Sequence, residues 1–201
     1  MVQHDKQVIK TLLGMPDTST FSGLRDYVFM LTMLDNGIRP NELLQIRLQD
    51  IDFMNNQIIV WEQYSKTRQL RTLPLSSQVV NAFKKLIHAR HEQWNEDVPV
   101  LCSFSGHRLS SHNLQEGFRK YSQRLGTNVT PYHLRHVFAL MFIRSGGNVF
   151  SLQQILGHSR LEMTQVYVNL VEADVKDSHS KASPINNLFE QVNRVKYVKQ
   201  C

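Results

Sequence analysis

Helical spacing of apolar residues runs through most of this chain and favours a largely α-helical fold. In the first clear stripe, Phe21–Leu31, an apolar side chain returns to the same helical face at every third or fourth position. Thr18 or Ser19 can cap this helix, and Gly37 can end it because glycine readily adopts the left-handed conformation. We therefore expect a helix between these residues.

Capping residues and the same periodicity predict further helices. Pro40 suits the first turn of a helix that runs through Leu44, and Ser76 or Ser77 can cap another. The pair Gly146-Gly147 is a stop signal for a later helix. The remaining predicted helices cover residues of about 111–125, 131–144, 151–157, 162–170, 171–181 and 186–198.

Two short segments break the helical pattern. Ile58–Trp61 is β-branched and aromatic, and Thr72–Leu75 is a second short strand. The polar residues Tyr64–Arg71 between them form the tip of a predicted hairpin. Asp50–Asn56 is a predicted turn, and Val98–Cys102 a short extended piece. The fold class is therefore mainly α with a small antiparallel β-sheet (α+β).

A length of 201 residues suits one large domain, and neither a repeat nor a linker divides it. We expect a domain at 1–183 and a C-terminal tail at 184–201. The longest apolar patch, Val137–Ile143, is far shorter than the roughly 18 residues of a membrane helix. With no apolar N-terminal signal and with Cys102 and Cys201 far apart, we expect a cytoplasmic protein without a membrane partner.

The charge balance points toward an acidic partner without proving one. The chain carries 23 Lys and Arg against 17 Asp and Glu, a net charge of +6. Such an excess suits nucleic acid, although many basic soluble proteins bind no polyanion.

Arg39 occupies an unusual place for a basic residue, between a glycine turn and a helix start. A cation gains nothing from the helix dipole at that end, whereas a visiting anion would face both the guanidinium and the helix N-terminus. Glu42, one turn later, can orient the guanidinium. The alternative is an ordinary surface pair of Arg39 and Glu42.

Arg135 lies with His133 and His136 in a strongly apolar predicted helix. Polar groups buried there need partners, although a solvated strip on an amphipathic helix explains them equally well. Further along, Tyr167 follows His158 by nine residues. Taken alone, Tyr167 suits a core position and His158 a helix cap, while Lys66 at the hairpin tip suits solvent.

Taken in chain order, these segments resemble the catalytic domain of the tyrosine site-specific recombinases, the phage integrase family. The resemblance extends from about Leu12 to about Leu188. It covers four short family motifs: two that each contain an arginine (the first and second boxes), a lysine in a hairpin, and a final box with the nucleophile. The matching segments are Gly37–Leu44, Lys66 placed eight residues before Pro74, Leu134–Ala139, and Leu156–Ser159 with Tyr167.

The sequence departs from the family pattern at one position. The second box usually has a histidine three residues before its arginine, and here that residue is Tyr132. Its phenol can donate a hydrogen bond, but a pKa near 10 prevents acid–base work near neutral pH. His133 is rotated by about 100° on a helix and is no direct substitute. We expect Tyr132 to supply a donor and activity to survive.

The resemblance implies transesterification at a DNA phosphodiester through a 3′-phosphotyrosine, without ATP, metal or another cofactor. Tyr167 would attack phosphorus, Arg39 and Arg135 would bind the non-bridging oxygens, and His158 would add a donor. Lys66 would protonate the leaving 5′-oxygen. Glu42 and His136 are expected to support these catalytic residues, which with Tyr132 form the predicted site. Candidate contacts to the DNA backbone are Arg47, Arg68, Arg71, Lys84, Lys85, Arg119 and Lys120.

The implied partners are double-stranded DNA, other recombinase subunits in a tetrameric synapse, and accessory DNA-bending or directionality proteins. The tail at 184–201 is a candidate for packing between subunits, and packing on its own domain is the alternative. The family's N-terminal core-binding domain is expected to be absent. Two other functions remain open: a catalytically silent DNA-binding module of the same fold, and relaxation of supercoiled DNA like a type IB topoisomerase.

Overall fold

The computed structural model describes residues 6–65 and 69–185, and it is mainly helical, as predicted. A short 3₁₀ turn at Leu48–Asp50 precedes the sheet. The helices are α1 (Lys6–Leu13), α2 (Phe21–Asn36), α3 (Pro40–Leu43), α4 (Ser77–His88), α5 (Ser111–Leu125), α6 (Pro131–Arg144), α7 (Val149–Leu156) and α8 (Glu162–Ala182). The strands are β1 (Ile51–Asp52), β2 (Gln57–Val60) and β3 (Arg71–Pro74).

The predicted hairpin forms the larger part of a three-stranded antiparallel sheet in the order β1-β2-β3. Ile58 in β2 pairs with Ile51 on one side and with Leu73 on the other. Because side chains alternate across a strand, Ile58, Val60 and Leu73 turn inward and are buried. The predicted turn at Asp50–Asn56 was therefore partly wrong, since it contains β1.

Helix α2 is the centre of the main core and packs against both α4 and α6. Its N-cap is Thr20, whose side chain accepts a hydrogen bond from the Gly23 amide, rather than the predicted Thr18 or Ser19. Gly37 ends the helix in the left-handed conformation, as predicted, with φ of 61°. The next residues of the chain therefore leave α2 in a sharp turn.

A second, smaller cluster of buried residues joins α6, α7 and α8. It contains Phe138, Ala139, Leu152, Leu156 and Tyr167. The two helices predicted at 162–170 and 171–181 are one continuous helix, because nothing between them interrupts the hydrogen bonding. This small cluster places α8 directly beside the helix that carries Arg135.

Helix α1 was not predicted, and it buries Ile9 and Leu12 against neighbouring helices. Among the described helices, none is long and apolar enough to cross a membrane. The predicted helix at 186–198, and all but the first two residues of the predicted tail, lie outside the described residues.

Candidate active site

The turn after α2 places the first candidate residue, Arg39. At Gly37, a Cβ atom would lie 2.4 Å from the Cδ1 atom of Phe138, so only glycine lets this turn approach α6 so closely. The Asn36 side chain accepts a hydrogen bond from the Ile38 amide at 3.1 Å. Arg39 then becomes the N-cap of α3, and the backbone sets the starting direction of its side chain.

Glu42 holds the guanidinium of Arg39 in place. Their side chains are 3.0 Å apart, and Arg39 also donates to the carbonyl oxygen of Gly157 at 2.7 Å. Glu42 is 2% exposed and also accepts hydrogen bonds from Arg71. Burial alone would raise the pKa of Glu42, but hydrogen bonds and charge from Arg71 and then Arg39 hold it below its usual range. The carboxylate is therefore ionised at neutral pH.

Arg71 was predicted to contact the DNA backbone, but its side chain lies in a largely buried cluster with Glu42. Both of its terminal nitrogens bind Glu42, and one also donates to the Ser65 hydroxyl at 3.3 Å. Its side chain is largely buried at the start of β3, and the Nε atom has no hydrogen-bond partner within the described part of the chain. Arg71 therefore belongs to the buried cluster that orients Arg39.

Arg135 reaches the same region from α6 and is only 6% exposed. One terminal nitrogen donates to the Gly37 carbonyl at 2.5 Å, and the other donates to the Leu156 carbonyl at 2.8 Å. Burial and then the charge of Arg39 lower the pKa of Arg135 to about 10, so it is still a cation at neutral pH. Two backbone carbonyls thus fix a buried cation that needs an anion for full compensation.

His158 follows Gly157, which ends α7 in the left-handed conformation. Its Nε2 atom lies 3.2 Å from a terminal nitrogen of Arg135, and its Nδ1 atom lies 2.9 Å from the Thr164 hydroxyl. Burial, followed by the charges of Arg135 and Arg39, lowers the pKa of His158 to about 4. The ring is therefore neutral at physiological pH.

Tyr167 lies on α8 in the small core, with 5% of its surface exposed. Its hydroxyl is 2.6 Å from Nδ1 of His136, one residue after Arg135 on α6. Burial raises the pKa of Tyr167, and the charge of Arg135 opposes that shift. Burial also lowers the pKa of His136, so a neutral phenol faces a neutral imidazole. His158 contacts Arg135 and Tyr167 contacts His136, so the two residues lie at the same end of α6.

Tyr132 lies at the first turn of α6 and is 53% exposed. It lines a cavity of about 650 Å³ that also borders Pro40 of α3 and Phe118 of α5. His133 instead closes the helix start, since its Nδ1 atom accepts from the Thr130 amide at 3.0 Å. Tyr132 therefore has the freedom to meet a bound molecule, whereas His133 is used in capping α6.

The other predicted DNA contacts lie in varied surroundings. Lys66 and Arg68 are outside the described residues. Arg47 pairs with Asp97 at 2.6 Å, and Arg119 pairs with Glu116 at 2.8 Å. Lys84 lies over the ring of Phe53, and Lys85 and Lys120 are exposed. Their roles at a DNA backbone remain predictions.

The sequence model of the phage integrase family matches residues 4–173. The chain belongs to this family. Tyrosine recombinase XerC of Chlamydia pneumoniae is 28% identical over 180 residues, covering 88% of this chain. The chain spans 57% of that XerC sequence, and so corresponds to part of a longer relative.

Solved integrase-family structures share the fold of this chain. The crystal structure of XerA recombinase superposes with a TM-score of 0.74 at 24% identity, covering 92% of this chain and 64% of XerA. The Tn1549 transposon integrase, solved in complex with circular intermediate DNA, gives a TM-score of 0.71 at 20% identity. That match covers 88% of this chain and 66% of the integrase chain. The small sheet and the helical core are therefore the family's fold.

Sequence reasoning missed one residue of this integrase-family site and misplaced another. Thr164 is fully buried and contacts His158, but a threonine near the start of a helix gives no special pattern. Its position one turn before Tyr167 was the available clue. Arg71 was predicted as a contact to the DNA backbone, and its pairing with Glu42 was not foreseen because Glu42 lies 29 residues away in sequence.

Proposed function

We propose that this chain is the catalytic part of a site-specific DNA recombinase that cleaves and rejoins strands through a 3′-phosphotyrosine. One observation carries the proposal. Arg39, Arg135 and His158 come from three separate segments of the chain. At the end of α7, Arg39 donates to the Gly157 carbonyl and Arg135 donates to the Leu156 carbonyl. A hydrogen bond from Arg135 then reaches His158. Tyr167 lies on the adjacent helix, bonded to the neighbour of Arg135.

The electrostatics of this cluster favour an anionic ligand. Three guanidinium groups, those of Arg39, Arg71 and Arg135, lie around the single carboxylate of Glu42 among the described residues of the site. Positive charge therefore exceeds negative charge in a partly buried region. A phosphodiester supplies the missing anion, and preorganised donors stabilise the additional negative charge of a pentavalent transition state.

The proposed cleavage step exchanges one phosphoester bond for another. The Tyr167 oxygen bonds to phosphorus, and the bond from phosphorus to the 5′-oxygen breaks. The phenolic proton leaves toward His136, its present partner, and Lys66 gives a proton to the departing 5′-oxygen. The reverse attack by a 5′-hydroxyl rejoins a strand. Bond energy is retained, so no nucleotide is consumed.

Related proteins support DNA as the partner. Curated relatives of this chain are tyrosine recombinases of the Xer type, and a structural neighbour was solved with DNA. The net charge of +6 agrees with a polyanionic partner. The exposed lysines Lys85 and Lys120 and the paired Arg47 and Arg119 are proposed contacts to the DNA backbone, which set affinity and its salt dependence.

Assembly with other subunits on DNA is part of the proposal. Residues 184–201 would pack on a neighbouring copy and couple the active sites. Comparing the size-exclusion behaviour of the full chain with that of a chain lacking 184–201 tests this role. A smaller particle after truncation supports intersubunit packing, whereas an unchanged particle size supports packing on the chain's own domain.

The deciding experiment detects covalent protein–DNA adducts. The probe is a pool of nicked duplexes with randomised sequence. After cleavage, the short strand beside the nick dissociates with its 5′-hydroxyl, so the strand cannot be rejoined and the covalent intermediate is trapped. We expect adducts that resist SDS, and mass spectrometry should locate the attached phosphate on the peptide containing Tyr167. Tyr167→Phe should retain DNA binding in a gel-shift assay and form no adduct.

The alternative functions give different results in the same experiment. A silent DNA-binding module would shift the duplexes and form no adduct with either protein. A topoisomerase-like enzyme would relax supercoiled plasmids without sequence preference, and the captured duplexes would share no motif. Adducts that persist in Tyr167→Phe would overturn the assignment of the nucleophile.

A further inference from the structure

Thr164 is the side-chain partner of His158 on the face turned away from Arg135. Its hydroxyl oxygen lies 2.9 Å from Nδ1 of His158, and the side chain is fully buried near the start of α8. Thr164 is one helical turn before Tyr167, so the helix that carries the proposed nucleophile also holds the histidine.

The contacts of His158 identify its tautomer in the free protein. A guanidinium can only donate, so the Nε2 atom that faces Arg135 at 3.2 Å must accept. In a neutral ring the proton then sits on Nδ1 and is donated to Thr164. The ring stays neutral because burial and the nearby Arg135, Arg39, His136 and Arg71 hold the pKa of His158 to about 4.

This tautomer is unsuited to bind a phosphate. An Nε2 lone pair would face a negatively charged oxygen, whereas catalysis needs a donor at that position. Arg135 offers the reason for a change. Its terminal nitrogen carries two hydrogens, one used by the Leu156 carbonyl and one by His158. A bound phosphate oxygen competes for the second hydrogen and leaves Nε2 without its donor.

We propose that Thr164 is a positioning residue whose hydroxyl reverses its hydrogen bond with His158, so that the uncharged ring becomes a phosphate donor at Nε2. In the free protein Nδ1–H donates to the Thr164 oxygen. With phosphate present, the Thr164 O–H donates to Nδ1, and Nε2–H donates to the phosphate. The proton leaves Nδ1 to solvent water, and another arrives at Nε2 from water, so the charge of the ring is unchanged.

Threonine is suited to this role because a hydroxyl donates and accepts with equal ease. Valine has nearly the same shape but would leave Nδ1 facing a methyl group in a buried position. Serine keeps the hydroxyl and loses only the methyl group. Thr164→Val and Thr164→Ser therefore form a matched pair that separates hydrogen bonding from packing.

The first test is nuclear magnetic resonance of protein labelled with ¹⁵N-histidine at pH 7, and it does not depend on the proposed function. We expect a protonated Nδ1 and an unprotonated Nε2 in the free protein. Titration with inorganic phosphate should exchange these two states in wild type and in Thr164→Ser, but not in Thr164→Val. A protonated Nε2 in the free protein would overturn the inference. So would ¹⁵N signals of the His158 ring that do not change when phosphate is added.

The second test rests on the proposed function and measures single-turnover adduct formation on the nicked duplex pool. Thr164→Val should form adducts roughly tenfold more slowly than wild type. This is a smaller effect than the loss of a complete hydrogen-bond donor to the transition state. Thr164→Ser should recover most of the rate, and circular dichroism should show both variants folded. Equal rates for Thr164→Val and wild type contradict the inference. A wild-type protein that forms no adduct but shows the tautomer exchange contradicts only the proposed function.

Discussion

The hydroxyl of Tyr167 lies 2.6 Å from Nδ1 of His136, across the contact between α8 and α6. This hydrogen bond joins two helices of the same chain. It holds the proposed nucleophile inside the small core, next to the helix that supplies Arg135. In the proposed reaction this bond is also the route by which the phenolic proton reaches His136 as the Tyr167 oxygen attacks phosphorus.

The bond between Tyr167 and His136 should be visible in stability measurements. Tyr167→Phe should lower the free energy of unfolding by about 1 kcal/mol, the usual value of one hydrogen bond. In a His136→Leu background the same change should have almost no effect, because the partner is already lost. Urea unfolding of the four proteins measures this coupling. Additive effects would show that the contact contributes no stability.

Glu42 should be far more important for stability than an exposed glutamate in a similar pair. Glu42→Gln leaves two arginines without their buried carboxylate and should cost about 3 kcal/mol of unfolding free energy. The matched control is Glu116→Gln, which breaks the exposed i, i+3 pair with Arg119 and should change stability very little. Urea unfolding distinguishes them, and equal losses would contradict the central role of Glu42.

His158 should make the folded protein sensitive to acid. Its pKa in the folded state is about 4, below the ordinary value of 6.5, so the unfolded chain binds the proton first as pH falls. Stability should therefore fall from pH 6.5 toward pH 4. His158→Gln removes this proton uptake and should flatten the profile over that interval. Unfolding free energies measured between pH 4 and 7 test this, and identical slopes would contradict it.

Gly157→Ala should impair the proposed DNA cleavage more than folding. Position 157 has φ of 63°, and an added Cβ would lie 3.1 Å from Arg71 and 3.3 Å from Arg39 at their terminal nitrogens. Gly126→Ala is the control, because φ is 68° and nothing lies within 4 Å of its added Cβ. Both variants should lose about 1 kcal/mol of stability from the left-handed backbone. Only Gly157→Ala should also slow adduct formation, and equal rates would contradict the close packing.

Tyr132→His tests the departure from the family pattern. Tyr132 is exposed on the first turn of α6, so histidine fits there without disturbing the core. We expect Tyr132→His to keep or raise the rate of adduct formation. Tyr132→Phe, which lacks any donor, should lower it. A large loss in Tyr132→His would show that the phenol has a role that histidine cannot fill.

The sequence predicted those elements of the fold that depend on local signals. Helices α5 and α6 have the predicted bounds because Ser110, Thr130 and the glycines that follow mark their ends. Elements that exist only through tertiary contact were missed. Strand β1 is two residues long and depends on pairing with β2. Helix α1 buries only two of its residues, Ile9 and Leu12, which lie one turn apart.

The same distinction applies to the site. Motif order predicted which residues would gather, and Arg39, Arg135 and His158 do share one network. It could not predict how their polar groups are satisfied. The bond from Arg71 to Glu42 joins β3 to α3, and the bond from His158 to Thr164 depends on how α8 packs. Such pairings depend on the docking of whole helices and strands.

Backbone acceptors hold the cations of this site, and that choice affects how the protein tolerates mutation. The carbonyls of Gly37, Leu156 and Gly157 receive the guanidinium hydrogens. Every amino acid carries a carbonyl, so no substitution at these three positions can delete an acceptor. Mutations there act instead by moving the main chain or by crowding the side chains that pack against these positions. Replacing Arg39 or Arg135, in contrast, removes the guanidinium itself, and the carbonyls then lose the donors that they bind here.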